Sequence, residues 1–351
     1  MARREELTPR GRAQLEASFR TATEAAERLV ERETGLRSAA GPARAEVVDR
    51  GRWAEVNIAS FRRLLAPVGA RLAASPTARR ALSPPSRAAA GVEVGLLLGW
   101  MSGRVLGQYD LLFAEGADET GGDVVYYVGE NIAQIERQHR FAPEQFRLWI
   151  ALHEVTHRMQ FTAVPWMRPY FLGLVERGVQ SSPPDAKALL ESLRRAAAEL
   201  RAGRNPLADG GVVGLLASSD QLATLREAQA LMSLLEGHGD VVMSKAAAAE
   251  VPDADRFAAT LHERRTSAKG AVRLLQQLVG VESKLRQYAE GEAFIEAVTA
   301  AGGQELLARL WEGPQLLPSL EEIRQPNLWI ARVAGDRPPA AVGPAGSHPS
   351  A

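Results

Sequence analysis

The sequence contains no cysteine. Disulfides and thiolate metal sites are excluded with it. Any metal must therefore be held by histidine, carboxylate or backbone oxygen. Aromatic residues are few, 6% of 351 residues, and net charge is absent, with 42 basic against 42 acidic side chains. A chain so balanced has no global field to gather nucleic acid or acidic lipid, so neither is expected as a partner. Lysine is scarce; nearly all the basic residues are arginine. No apolar run is long enough to span a bilayer. The most membrane-like stretch, Gly91–Gly107, is short and carries Glu93 and Arg104. The first residues, MARREELTPRGRAQLE, are charged throughout and lack the apolar core of a signal peptide. A cytoplasmic location follows as an expectation.

What is present favours helices. The chain is 46% hydrophobic and rich in alanine. Helical spacing runs through residues 13–36, 43–65, 183–202, 221–249, 254–280 and 281–300. Residues 1–12 read as a flexible start, and 337–351, rich in proline, glycine and alanine, as a disordered tail. Between them a single domain is expected over 13–336, with 171–220 as a lid or side wall. In Gly91–Gly107 a glycine recurs every fourth residue, which marks a core helix packed tightly against a neighbour. The clearest β signal is Gln108–Ala114 and Asp123–Val128, two short apolar runs across a polar, glycine-bearing connection. They predict a hairpin or a pair of neighbouring strands.

Pro143 then suits the first turn of a helix, where a missing N–H is not needed, and Pro165 sets its end. Inside this predicted helix, about 143–161, lies Leu152-His153-Glu154-Val155-Thr156-His157-Arg158. Histidines four apart on a helix share a face and can share one metal ion. Glu154, one step round, stands beside the metal's open position. With zinc lowering the pKa of bound water to roughly 7, a carboxylate there suits a general base. Only six histidines occur in the chain, and two of them make this pair.

Such a site needs a third protein ligand. The segment Leu231–Met243 contains Glu236, Gly237, His238, Gly239 and Asp240. On a helix Glu236 and Asp240 share a face, and His238 lies nearly opposite. Glu236 is favoured as the ligand and Asp240 as the partner that orients a ligand histidine; His238 is the alternative third ligand. Gly237 and Gly239 are unfavourable inside a helix and suggest close approach of the two metal-bearing helices.

HExxH followed much later by Glu-x-x-x-Asp resembles the gluzincin metallopeptidases. More closely, Val105–Asp110, LHEVTHRMQF, Leu234–Asp240, Lys284–Tyr288 and Leu317–Ile323 resemble a mainly actinobacterial family of zincin-like metalloproteases, some of whose members are labelled as associated with deazaflavin coenzyme biosynthesis. The resemblance covers about residues 45–333. It implies a zincin-like fold, mainly α with a small sheet or hairpin beside the active-site helix, and one zinc per chain. The first reading of the motif is a zinc-dependent hydrolase, a peptidase above all, with a peptide or protein as substrate. The strand near Tyr126 and Tyr127 is expected to offer an open edge to such a substrate. Tyr288 and His262 are candidate oxyanion donors, and Lys284 and Arg286 candidate carboxylate binders. Two other readings stand beside this one: a binding or scaffold protein that keeps zinc for stability, and a metal hydrolase of a small metabolite.

Overall fold

The computed structural model describes residues 7–74, 84–111, 123–180, 219–248, 250–266 and 281–335. In chain order the elements begin with α1 (Pro9–Thr34), β1 (Arg44–Val48), α2 (Arg50–Ala74), α3 (Pro84–Ser102), β2 (Gly107–Tyr109) and β3 (Val124–Val128). There follow α4 (Gly129–His139), α5 (Pro143–Thr162), α6 (Met167–Gln180), α7 (Ser219–Ala247), α8 (Ala254–Thr266) and α9 (Val281–Ala308). Two short 3-10 turns, Arg309–Trp311 and Pro314–Leu316, lead to α10 (Leu320–Arg324) and α11 (Pro326–Gly335). Among the described residues the fold is mainly helical with one small sheet, the architecture that the sequence suggested.

Local signals explain where α1 starts and stops. Thr8 caps its N-terminus, accepting from the Gly11 N–H at 3.1 Å, and Pro9 occupies the first turn. Gly35 ends it in the left-handed region, with φ 69°. Its inner face carries Leu15, Phe19, Ala22, Ala26, Leu29 and Val30, all buried.

The three strands lie in the order β1-β3-β2, with β1 parallel and β2 antiparallel to β3. All five residues of β3 are buried. Alternate side chains serve opposite faces. Val125 and Tyr127 join α1 and α5, and Tyr127 stacks on Phe19 with centroids 4.0 Å apart and pairs with the Thr23 hydroxyl at 2.8 Å. Val124, Tyr126 and Val128 instead meet Trp53, Val56 and Leu98 of α2 and α3.

Helix α5 is enclosed by α1, the sheet, α7 and α8, which is why its apolar residues do not form a single stripe. Phe146 and Trp149 near its start pack with Phe141 and with Phe257 of α8. Each such ring removed from water contributes roughly 1.5–3 kcal/mol. Near its end the fully buried Arg158 is paired with Glu27 of α1 at 2.6 Å and with Asp123, and donates to the Gly41 carbonyl. A separate core, with Phe294, Ile295, Leu310, Trp329 and Val333, joins α7 to α9 and α11.

Several expectations need correction. Residues 44–48 lie inside the span read as helix, yet form β1, because pairing along β3 overrides local propensity. Residues 9–12, expected to be flexible, begin α1. The strand carrying Tyr126 and Tyr127 is the middle strand, paired on both sides; the outer strand on the side of α5 is β2. The glycine-striped helix is not a core helix. In α3 the residues Val92, Val94 and Leu96 are 62%, 48% and 70% exposed, and a Cβ at Gly91, Gly95 or Gly99 would meet no atom within 4 Å. Among the described residues it packs through its last turns, by Leu98 and Met101, and the stripe turns away from that contact. The helix read at 183–202, most of the lid at 171–220 and the tail lie outside the described residues; residues 171–180 belong to α6.

Candidate metal centre

His153 and His157 project from α5 on one face, as their spacing requires. Their Nε2 atoms are 3.2 Å apart. Helix α7 brings Glu236 opposite them, with Oε2 3.6 Å from His157 Nε2 and 3.9 Å from His153 Nε2. Ligand atoms around a tetrahedral zinc stand about 3.3 Å apart, given metal–ligand bonds near 2.0–2.1 Å. The triangle formed here therefore fits one zinc ion with little adjustment. Among the described residues, these three are the group of histidines and carboxylates that could hold a metal. All three side chains are partly screened, at 23%, 15% and 18% exposure.

Asp240, one turn beyond Glu236, reaches toward the other nitrogen of His153, with Oδ1 4.0 Å from Nδ1. That is the placement expected of an orienting carboxylate, though longer than a hydrogen bond. His238 does not turn to the cluster. It is buried, its Nδ1 meets the Gln160 side-chain nitrogen at 2.9 Å, and its ring lies edge-on to Trp311. Burial first, with the charges of His157 and Lys245 adding, pushes its pKa down to about 3, so the ring is neutral.

His157 has the opposite character. Burial works against its charged form. The Glu236 charge, its hydrogen bond to Glu236, the Glu154 charge and the Gln160 hydrogen bond outweigh burial and push its pKa up to about 9. Without metal the ring is an imidazolium held by carboxylates. A divalent cation would replace its proton.

Glu154 is 8% exposed and lies against the backbone of β2, where a Cβ built on Gly107 would fall 2.5 Å from its Cγ. The seat of the Glu154 side chain on β2 thus depends on a residue with no side chain. Gly237 and Gly239 also mark close approaches, though to different neighbours. Gly239 faces His157, with a Cβ contact of 3.4 Å to Cε1. Gly237 does not meet α5, as the sequence suggested; it meets Gly291 of α9 backbone to backbone. Gln160 is the residue that sequence reasoning missed. It stands one turn after His157, and its Oε1 lies 3.0 Å from His157 Nδ1.

The other candidates lie on other elements. Lys284, Arg286 and Tyr288 fall in α9, where the backbone is described and their side chains are not. His262 is exposed on α8 and is not among the grouped ligands.

The sequence matches the profile of the zincin-like metallopeptidases over residues 1–330. The chain belongs to that family. A crystal structure of a candidate hydrolase with a novel fold from Chloroflexus aurantiacus is similar to this zincin-like chain. The two share 32% identity over 95% of each chain, with a TM-score of 0.69. No curated protein matches it. Among the described residues of this family member, no helix is long and apolar enough to cross a membrane.

Proposed function

We propose that this zincin-like chain is a zinc-dependent hydrolase of peptide bonds, with His153, His157 and Glu236 as ligands and Glu154 as general base. The observation that carries the reading is the convergence of two Nε2 atoms and one carboxylate oxygen from two helices within 3.9 Å. Three protein ligands are the number that leaves a position for water. A zinc ion there would supply Lewis-acid polarisation and a water of pKa about 7.

The protein's own groups do the rest. The Glu154 carboxylate, beside the ligand pair and resting on Gly107, takes the proton of the attacking water and returns it to the leaving amine. Asp240 orients His153. The outer strand β2 passes Glu154, and its outer side, which pairs with no other strand among the described residues, is offered to an extended peptide. Val128 N–H bonds to the Leu106 carbonyl and Asp110 N–H to the Val124 carbonyl, so Gly107 and Tyr109 present their backbone groups outward. Tyr288 remains a proposed oxyanion donor through its place in α9, the helix that crosses α7 at Gly237. A cytoplasmic location and a peptide or protein substrate, with no nucleic-acid or membrane partner, complete the reading.

The test is elemental analysis of wild type, His157→Ala and Glu236→Ala, each purified without added metal, alongside cleavage of a quenched-fluorescent peptide library. About one zinc per wild-type chain, lost in both variants, supports the ligand set. Cleavage by wild type and not by zinc-loaded Glu154→Gln supports the base. Wild type that takes no zinc when offered it would move the chain to a binding or scaffold role.

A further inference from the structure

A backbone carbonyl settles the direction of a chain of hydrogen bonds that ends at the metal centre. The side-chain amide of Gln160 has three neighbours: the Leu235 carbonyl oxygen at 2.9 Å, His238 Nδ1 at 2.9 Å and His157 Nδ1 at 3.0 Å. A carbonyl oxygen only accepts. The amide atom facing Leu235 must therefore be the NH2 group, and the reverse orientation would set two oxygens against each other. The same NH2 group also faces His238 Nδ1. That nitrogen must then be the acceptor, and the His238 proton sits on Nε2. Only the amide oxygen remains for His157, so His157 Nδ1 must be the donor.

We propose that Gln160 is a positioning residue: it holds the His157 proton at Nδ1 and so reserves Nε2 for metal, with Leu235 and His238 keeping the amide the right way round. The inference rests on the zinc reading above for the purpose it assigns, though not for the proton pattern itself. It divides the support of the two ligand histidines between two kinds of partner. His153 has a carboxylate nearby, Asp240, as the sequence suggested. His157 has a neutral amide, itself braced from α7, the helix that supplies Glu236. The brace is buried throughout: Gln160 is 0% and His238 1% exposed. Water therefore does not compete for these bonds, and rotation of the amide would leave buried donors and acceptors unmatched.

The arrangement ties the three ligands together. Gln160 belongs to α5 and bonds to Leu235, the residue just before Glu236. A shift of α7 that moved Glu236 would also strain the bond that sets the His157 tautomer. A neutral partner has a chemical consequence as well. A carboxylate on His157 Nδ1 would raise the ligand's basicity and place another negative charge beside Glu236 and Glu154. The amide fixes the ring without adding charge.

The test begins with wild-type protein, labelled with 15N in histidine and kept metal-free near neutral pH. Long-range 1H–15N correlation spectra are expected to show His238 protonated on Nε2 only, while His157, charged without metal, carries protons on both nitrogens. A proton on His238 Nδ1 would overturn the proposal. Gln160→Met, which keeps bulk and removes the bonds, is then titrated with zinc against a chelator. Affinity is expected to fall about 10–100-fold. Unchanged affinity with a lowered melting temperature would show a merely structural residue and overturn it. If the variant does not fold, the wild-type spectra still decide. Wild type that shows this proton pattern but binds no zinc would overturn the zinc reading and leave the orientation standing. Zinc uptake with a proton on His238 Nδ1 would do the reverse.

Discussion

Glu154 rests on the backbone of Gly107: a Cβ at that position would stand 2.5 Å from Glu154 Cγ and 2.7 Å from its Oε1. The proposed base thus has its seat on the outer strand, and the seat exists because residue 107 is glycine. Gly107→Ala must displace the Glu154 side chain, which can rotate, so little stability should be lost. The three atoms nearest that Cβ all belong to Glu154, none to a proposed ligand. The expected variant folds with a melting temperature near that of wild type and binds zinc normally. Its turnover on a cleaved peptide should fall by about 100-fold, the usual worth of a positioned general base. Wild-type kcat in Gly107→Ala would show that Glu154 has no need of this seat.

Metal uptake should be strongly pH dependent, with a sign that follows from His157. Its metal-free pKa of about 9 lies above the ordinary histidine value near 6.5. A raised pKa stabilises the metal-free fold fully below the unfolded value, and that stabilisation is lost as pH rises through the folded one. The melting temperature of the metal-free protein should therefore fall between pH 6.5 and 9, and Glu236→Gln should flatten the fall. Zinc must expel the same proton. Calorimetry at pH 7 in two buffers of different ionisation enthalpy should find about one proton released per zinc, and affinity should rise roughly tenfold per pH unit toward 9. Uptake with no proton release would contradict the charged state assigned to His157.

Helix α5 was legible because its message is local. Histidines four apart, a proline at the start and another past the end define α5 with no knowledge of its neighbours. Glu236 was legible for the same reason, as the acidic member of a short apolar helix face. What escaped was set by partners distant in sequence. Nothing in Arg44–Val48 distinguishes it from a helical segment until it lies beside β3. Helix α4 lacks the usual end signals: no side chain caps its start, and Arg140, not glycine, takes the left-handed position after its last turn, at φ 51°. The glycines of α7 announced close contact but could not say with what; one met α9, the other His157. Gln160 was within the quoted motif, and its spacing from His157 was the available signal. Its role became visible only once Leu235 and His238 arrived from another helix.

Arg158 offers a prediction about what holds the metal helix in place. It is 0% exposed and answers two carboxylates, Glu27 of α1 and Asp123 beside β3. Glu27 also accepts from the Ala43 N–H at 3.0 Å, so the cluster fastens the loop before β1 as well. Arg158→Met would leave two screened carboxylates with no cation between them. Removing one partner of such a cluster costs about 3–5 kcal/mol. Chemical denaturation should show a loss of that size. Arg158→Met combined with Glu27→Gln and Asp123→Asn should recover part of it, since no unbalanced charge would then remain. A triple variant less stable than the single one would contradict this account.

The crossing of α7 and α9 gives the sharpest steric test. A Cβ on Gly291 would lie 1.9 Å from the Ser233 carbonyl oxygen, and one on Gly237 would lie 2.2 Å from the Gly291 carbonyl carbon. Both obstacles are backbone, so no side-chain rotation relieves them, and the helices must separate. Overpacking of this kind typically costs 1–3 kcal/mol. Glu236 is the residue next to Gly237, so separation also draws the proposed third ligand away from the histidines. Gly291→Ala should therefore lose stability and zinc affinity together, although residue 291 touches no proposed ligand. Gly239→Ala is the control. Its Cβ would meet only the His157 ring, 3.4 Å from Cε1 and 3.8 Å from Nε2, both ordinary contacts with a side chain rather than backbone, so the helices stay in place and zinc binding should survive. Equal zinc affinity in the two variants would mean that the position of Glu236 does not depend on how closely α7 and α9 cross.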